Sequence, residues 1–245
     1  MSLLTVKNLT KQFGNNPVIQ HLSFSINEGE FVSILGPSGS GKSTLFHLIG
    51  GILSPNTGSI QLADQEITGN RGHISYMPQT PSLLPWRTVL QNVLLGQELH
   101  GKKDKEKAKE MLQIAGLEQY IDAFPHELSG GMKQRAAFIR ALQSPQPVIC
   151  LDEPFSALDE LTRLDMQKWL LSIWEEYRRT ILFITHNIEE ALFLSDRIII
   201  LSNKPANVKD DFLVPFDRPR SEELLLQEDF LHWKKKVHFS LKGSD

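Results

Sequence analysis

Phe31-Val32-Ser33-Ile34-Leu35 is a nearly continuous apolar run that leads directly into Gly36, Pro37, Ser38, Gly39, Ser40 and Gly41. Lys42, Ser43 and Thr44 follow, opening a helix expected to run to about Ile49. A short run without polar alternation needs cover on both faces, as a strand inside a parallel sheet has. Its glycine loop leaves backbone N–H groups unobstructed, and the following helix adds the positive end of its dipole. Residues 36–43 fit G-x-x-x-x-G-K-S with a strand before and a helix after, the context that gives the pattern meaning. The expectation is a phosphate cradle, with Lys42 reaching the β- and γ-phosphates of a nucleotide and the Ser43 hydroxyl ligating Mg²⁺. The alternative is a Gly/Ser turn that only joins strand to helix. The Lys-Ser pair at the required place weighs against it.

The rest of the chain can be laid out around that unit. Leu4, Val6 and Leu9, then Val18, Leu22, Phe24 and Ile26, follow strand-like spacing. Residues 58–67 and 73–77 read as further strands. Residues 88–99 and 105–115 have helical spacing, a third helix opens after Gly131, and no strand is expected between residues 81 and 142. From Val148, strands over 148–152, 180–185 and 197–201 alternate with helices over 160–178 and 188–194. Met166, Trp169, Leu170, Ile173, Trp174 and Tyr177 recur at three- and four-residue steps, which makes one buried helical stripe. The fold class implied is α/β: a mostly parallel sheet covered on both faces, an N-terminal antiparallel β subdomain and an inserted helical subdomain. Its 245 residues suit one domain. Residues 1–80 and 143–205 form the core, 81–142 the helical insert and 206–245 a short tail. In that tail, residues 224–233 are expected as a surface helix packing Leu225, Leu226 and Phe230 on the core.

Bulk properties narrow the function classes. A formal net charge of −3 argues against a nucleic-acid binder. The longest apolar runs are too short to span a bilayer, and residues 1–5 lack the features of a signal peptide. The single cysteine, Cys150, permits no internal disulfide and reads as a packing residue.

A second glycine turn, Leu128-Ser129-Gly130-Gly131, opens the helix that begins Met132-Lys133-Gln134-Arg135. Two such cradles in one chain suggest that nucleotide is closed in from two sides. Val148-Ile149-Cys150-Leu151 ends in Asp152-Glu153, and a buried strand should not finish in two acids unless something polar meets them. Strand alternation sends the two side chains opposite ways, which suits Asp152 to Mg²⁺ and Glu153 to deprotonating a water. The alternative is a pair capping the next helix. Gln79 and His186 each follow a strand at the edge where α/β sheets bind ligands.

Taken in order, residues 36–43, Gln79, residues 128–131, Asp152-Glu153, Ser156-Ala157-Leu158-Asp159 and His186 resemble the motifs of ATP-binding cassette (ABC) ATPases. The resemblance covers about residues 3–201 and implies a P-loop NTPase core that hydrolyses ATP with Mg²⁺. It implies a head-to-tail homodimer in which Ser129, Gly130 and Gly131 of one subunit cap the γ-phosphate held by the other. By the same resemblance, Asp159 joins the two sites, His186 contacts the γ-phosphate, Gln79 touches metal and water, and Phe13 stacks on adenine. Met132 and Asn187 depart mildly from the commoner Gln and Asp. A cassette of this kind resembles the separate ATPase subunit of an importer. Such a subunit lies peripherally on the cytoplasmic face of the membrane, with an integral permease and, indirectly, a solute-binding protein as partners. Leu84-Pro85-Trp86-Arg87-Thr88, Met132 and Pro215-Phe216-Asp217-Arg218-Pro219-Arg220 are similar to the nitrate/sulfonate/taurine group and to importers of thiamine precursors. A cassette acting in iron–sulfur assembly is the alternative.

Overall fold

Each apolar run in the second half of the sequence becomes a central strand. The computed structural model describes residues 2–101 and 103–242; Met1, Lys102 and residues 243–245 lie outside them. In chain order the strands are β1 (Ser2–Phe13), β2 (Asn16–Asn27), β3 (Phe31–Leu35), β4 (Thr57–Leu62) and β5 (Gln65–Glu66). They continue with β6 (Ser75–Met77), β7 (Val148–Asp152), β8 (Thr180–Ile184), β9 (Arg197–Leu201) and β10 (Val208–Leu213). The helices are α1 (Lys42–Ile49), α2 (Val89–Val93), α3 (Leu95–Leu99), α4 (Lys105–Ile114), α5 (Gly130–Leu142), α6 (Glu160–Tyr177), α7 (Ile188–Leu194) and α8 (Glu228–Lys242).

Two sheets result. The N-terminal one is antiparallel in the order β2-β1-β4-β5. The larger runs β10-β9-β3-β8-β7-β6, parallel from β9 to β6, with β10 antiparallel at the edge. Period-two alternation divides each central strand between two cores. Phe31 and Leu35 of β3, Ile149 and Leu151 of β7, and Ile181 and Phe183 of β8 face the core shared with α5, α6 and α7. Val32 and Ile34, Val148 and Cys150, and Leu182 and Ile184 face the core shared with α1 and the antiparallel sheet. Every one of these side chains is buried. Cys150 is among them, a free thiol packed in the second core.

Four expectations change. Residues 58–67 form a hairpin rather than one strand, turning at Ala63 and Asp64, which take φ of 46° and 65° as a tight hairpin turn requires. Residues 88–99 divide at Leu94 into α2 and α3. The tail carries β10, whose Val-Lys-Asp-Asp-Phe-Leu sequence reads as polar because an edge strand exposes one side to water. The tail helix begins only at Glu228, after a 3₁₀ turn over Glu222–Leu226. That turn sends Leu224 inward and leaves Leu226 86% exposed, so Leu226 does not pack on the core, whereas Leu225 and Phe230 do.

The Arg218-Pro219-Arg220 segment has a structural purpose. Arg220 is buried and donates to the carbonyls of Leu192, Phe193 and Ser195, the orphan acceptors at the C-terminal end of α7. Arg218 stacks over Trp174 and pairs with Asp196 at 2.7 Å. The two arginines fasten the tail to α7 and to the core beneath it.

Candidate nucleotide site

Because β3, β6, β7 and β8 run parallel, their C-terminal ends emerge at one edge of the sheet. The loops that follow carry residues 36–41, Gln79, Glu153 and His186 to that edge, the usual ligand side of such sheets.

The loop after β3 is built for an anion. α1 has no side-chain cap and no acidic residue in its first turn, so the helix does not neutralise its own positive end. Gly41 adopts φ 112°, and a Cβ there would lie 2.9 Å from Cγ1 of Val18 in β2. Only glycine fits. The Ser40 hydroxyl is buried without a hydrogen-bond partner, a polar group waiting for one. Lys42 is buried and its Nζ donates to the carbonyls of Gly36 (2.8 Å) and Pro37 (2.9 Å), holding its charge over the loop. Burial lowers its proton affinity, and the nearby Glu153 and Asp152 carboxylates raise it again. Free amides, an orphan hydroxyl and a tethered ammonium suit a polyphosphate.

Asp152 and Glu153 part company more sharply than alternation requires. β7 ends at Asp152, which is buried and accepts a 3.1 Å hydrogen bond from the Tyr76 hydroxyl. Burial holds the Asp152 carboxyl above its ordinary range, while hydrogen bonds from Tyr76 and Ser43 pull it down. The Ser43 hydroxyl and Asp152 are therefore neighbours, a hard-oxygen pair that fits Mg²⁺ bound together with phosphate. Glu153 has left the strand with φ 43°, so a turn and not the pleat directs its side chain. Its N–H donates to Ile184 O at 2.9 Å, and its carbonyl accepts from Ser156 Oγ at 3.0 Å. Its Oε2 lies 3.1 Å from Nδ1 of His186. A positive φ at a carboxylate facing the phosphate loop is strain placed where chemistry needs a fixed direction. Neither acid caps a helix: the next helix, α6, is capped by Asp159, which accepts from Thr162 N at 3.1 Å.

Gln79 donates to Ser156 Oγ at 3.0 Å, which ties the end of β6 to the turn holding Glu153. Phe13, at the end of β1, is half exposed with the Lys11 ammonium 5.1 Å over its ring. Its hairpin is the one whose Val18 packs against Gly41 of the phosphate loop.

The second cradle lies elsewhere. Ser129 caps α5 by accepting from Met132 N, and the groove around it is lined by Gly130, Gly131, Met132, Arg135, Leu158 and Asp159. None of the residues 36–44 lines it. Gly130 is exposed, and a Cβ on it would meet nothing within 4 Å. No contact among the described residues explains a glycine there, although glycine in a helix costs about 1 kcal/mol.

Sequence reading missed Tyr76 and Gln134. Gln134 is buried in α5 and donates to the Pro154 carbonyl beside Glu153. Tyr76 reaches Asp152 only because β6 pairs with β7, Tyr76 opposite Cys150. No local signal marks either contact.

Residues 19–156 match the family model described as ABC transporter. The chain is 45% identical over 225 residues to the formylaminopyrimidine import ATP-binding protein ThiZ of Halalkalibacterium halodurans, covering 90% of this chain and 88% of that protein. It is 39% identical over 231 residues to the aliphatic sulfonates import ATP-binding protein SsuB of Bacillus cereus, covering 94% and 91%. Among solved structures, a dimeric post-hydrolysis ATP-binding cassette bound to ADP and phosphate superposes with a TM-score of 0.73 at 32% identity, covering 88% of this chain and all of that one.

Proposed function

The chain belongs to the ABC transporter family and is an ATPase; from that premise we propose that it is the ATP-hydrolysing subunit of an importer and works as a head-to-tail homodimer. The observation that carries the dimer is the exposed Ser129–Gly130 cradle, which lies apart from residues 36–44 and holds a glycine that its own chain does not require. A second copy would present that cradle to the γ-phosphate resting on Lys42 and the amides of Gly39 and Gly41. Asp159, at the rim of the same groove, would reach across with it.

Pro37, Ser38, Ser40 and Thr44 complete the phosphate wrap, and Phe13 offers its ring face to adenine. Ser43, Asp152 and Gln79 would hold Mg²⁺, which would supply neutralisation of the phosphate charge. Glu153 accepts the proton of a water as its oxygen attacks the γ-phosphorus, and the bond to the bridging oxygen breaks to leave ADP and phosphate. Base catalysis of this kind contributes about 10²–10⁴-fold. His186 orients the Glu153 carboxylate and faces the departing phosphoryl group.

No helix among the described residues is long and apolar enough to cross a membrane. One surface feature supports a membrane partner. Trp86 is 71% exposed on the turn before α2, an anchor of the kind that enriches protein interfaces. The relatives named above act in import, which favours a permease and a solute-binding protein as partners over iron–sulfur assembly. A peripheral position on the cytoplasmic face fits the same reading. Sulfonate-type and thiamine-precursor solutes are the classes those relatives suggest.

The test is Glu153→Gln with Mg-ATP. It should retain nucleotide, hydrolyse at least about 100-fold more slowly and elute as a nucleotide-bound dimer. Full turnover would remove Glu153 from its role, and tight ATP binding by a persistent monomer would end the shared-site reading.

A further inference from the structure

His186 stands in a short turn between β8 and α7, with its ring exposed, and something must hold that turn. The neighbouring Thr185 is buried, and its hydroxyl donates to Oε2 of Glu190 while accepting from Asn187 N at 3.0 Å. Glu190 is itself buried, although it lies in the first turn of α7. Its Oε1 accepts from Gln167 Nε2 at 3.2 Å and lies 3.9 Å from Nε of Arg163. Arg163 in turn donates from Nη2 to the carbonyl of Leu158 at 2.8 Å, and its own N–H donates to Asp159 O. Hydroxyl, carboxylate and guanidinium thus lead from the His186 turn to the loop that carries Leu158 and Asp159, with a 3.9 Å ion pair between Glu190 and Arg163.

A buried carboxylate needs such partners. Burial raises the Glu190 carboxyl above its ordinary range, and the Thr185 bond and the Arg163 charge pull it back toward the ionised form. At 3.9 Å the Glu190–Arg163 ion pair is the longest contact of the set. Arg163 Nε is buried with no hydrogen-bond partner, one short movement away from Glu190. A loop shift at Leu158–Asp159 that closed this pair would tighten the His186 turn, and the reverse shift would loosen it.

We propose that Glu190 is a positioning residue which, through Arg163, couples the His186 turn of one nucleotide site to the Asp159 loop that faces the other. The inference rests on the shared-site reading above, because Asp159 must touch the second site for the coupling to carry information. Charge is the working part: a glutamine at 190 keeps the oxygen that receives Thr185 but cannot pair with Arg163.

The experiment uses the purified full chain, with ATP-dependent hydrolysis, fluorescent-nucleotide binding and thermal unfolding measured together. Glu190→Gln should lower kcat about tenfold and bring the Hill coefficient for ATP from near 2 toward 1, with nucleotide affinity within about twofold. Arg163→Gln should do the same, and the double variant should be no worse than either single one, as partners in one network behave. A wild-type Hill coefficient in both single variants, or additive losses in the double, overturns the proposal. If Glu190→Gln proves too unstable, Arg163→Gln, at a partly exposed position, is sufficient by itself to uphold or overturn the coupling. Should Glu153→Gln form its nucleotide-bound dimer while these variants keep full cooperativity, the coupling fails and the shared site stands. Should no dimer form, the shared-site reading itself has failed.

Discussion

His186 Nδ1 lies 3.1 Å from Glu153 Oε2, across the ends of two adjacent parallel strands. An ionised carboxylate only accepts, so Nδ1 carries the proton of this bond and Nε2 faces outward. The imidazole therefore aims the carboxylate without competing for the water's proton. His186→Ala should lower kcat about 100-fold while leaving ATP affinity nearly unchanged, because the loss falls on the transition state. Single-turnover hydrolysis beside equilibrium binding separates the two; an equal loss of both would mean that the histidine only holds nucleotide.

Lys42 bonds two carbonyls of its own loop, and bound phosphates would exchange those contacts for stronger charged ones. Lys42→Ala should weaken Mg-ATP binding by at least about 100-fold, the size of a lost charge-assisted bond. Titration with a fluorescent ATP analogue checks this. Unchanged affinity would show that the loop amides alone hold the nucleotide.

Gly39 and Gly41 make a controlled pair. Both have positive φ, but a Cβ on Gly39 meets open space, while one on Gly41 would strike Val18 at 2.9 Å. Gly39→Ala should cost about 1–2 kcal/mol, from the backbone strain alone. Gly41→Ala adds a collision with the antiparallel sheet and should be the more destabilised by thermal unfolding. Equal midpoints for the two would mean that the hairpin carrying Val18 moves aside.

Arg220 satisfies three carbonyls at the end of α7, and α7 begins two residues after His186. Burial pushes its guanidinium pKa down to about 10, still well above neutral pH, so the cap is charged. Arg220→Met strands those acceptors at a cost of about 3 kcal/mol, which for a chain of this size lowers Tm by about 6–12 °C. Differential scanning calorimetry reads the shift directly. No shift would assign the tail's attachment to Phe230 and Val237 instead.

Lys42, Ser43, Asp152, Glu153 and the Ser129–Gly131 turn are visible in the chain as written, because each depends on its immediate neighbours. A glycine loop between an apolar strand and a helix, or two acids ending a buried strand, has a local cost that only a ligand explains. The sheet class is equally plain in the apolar runs at β3, β7, β8 and β9, whose residues alternate between two cores. Strand β10 is not legible in this way because an edge strand does not have to be apolar. Leu226 is misjudged by periodicity because helical spacing does not show where a 3₁₀ turn yields to α8.

Tertiary structure alone decided the rest. Tyr76 meets Asp152 through strand register across 76 residues, and Glu190 meets Arg163 through the packing of α7 on α6. Strand alternation alone would direct Glu153, yet it points by a positive φ that its hydrogen bond to Ile184 maintains. Local chemistry names which groups can react, since it depends on residue type and a few neighbours along the chain. Their direction and their partners come from how distant segments are packed and registered, and those depend on the whole core at once.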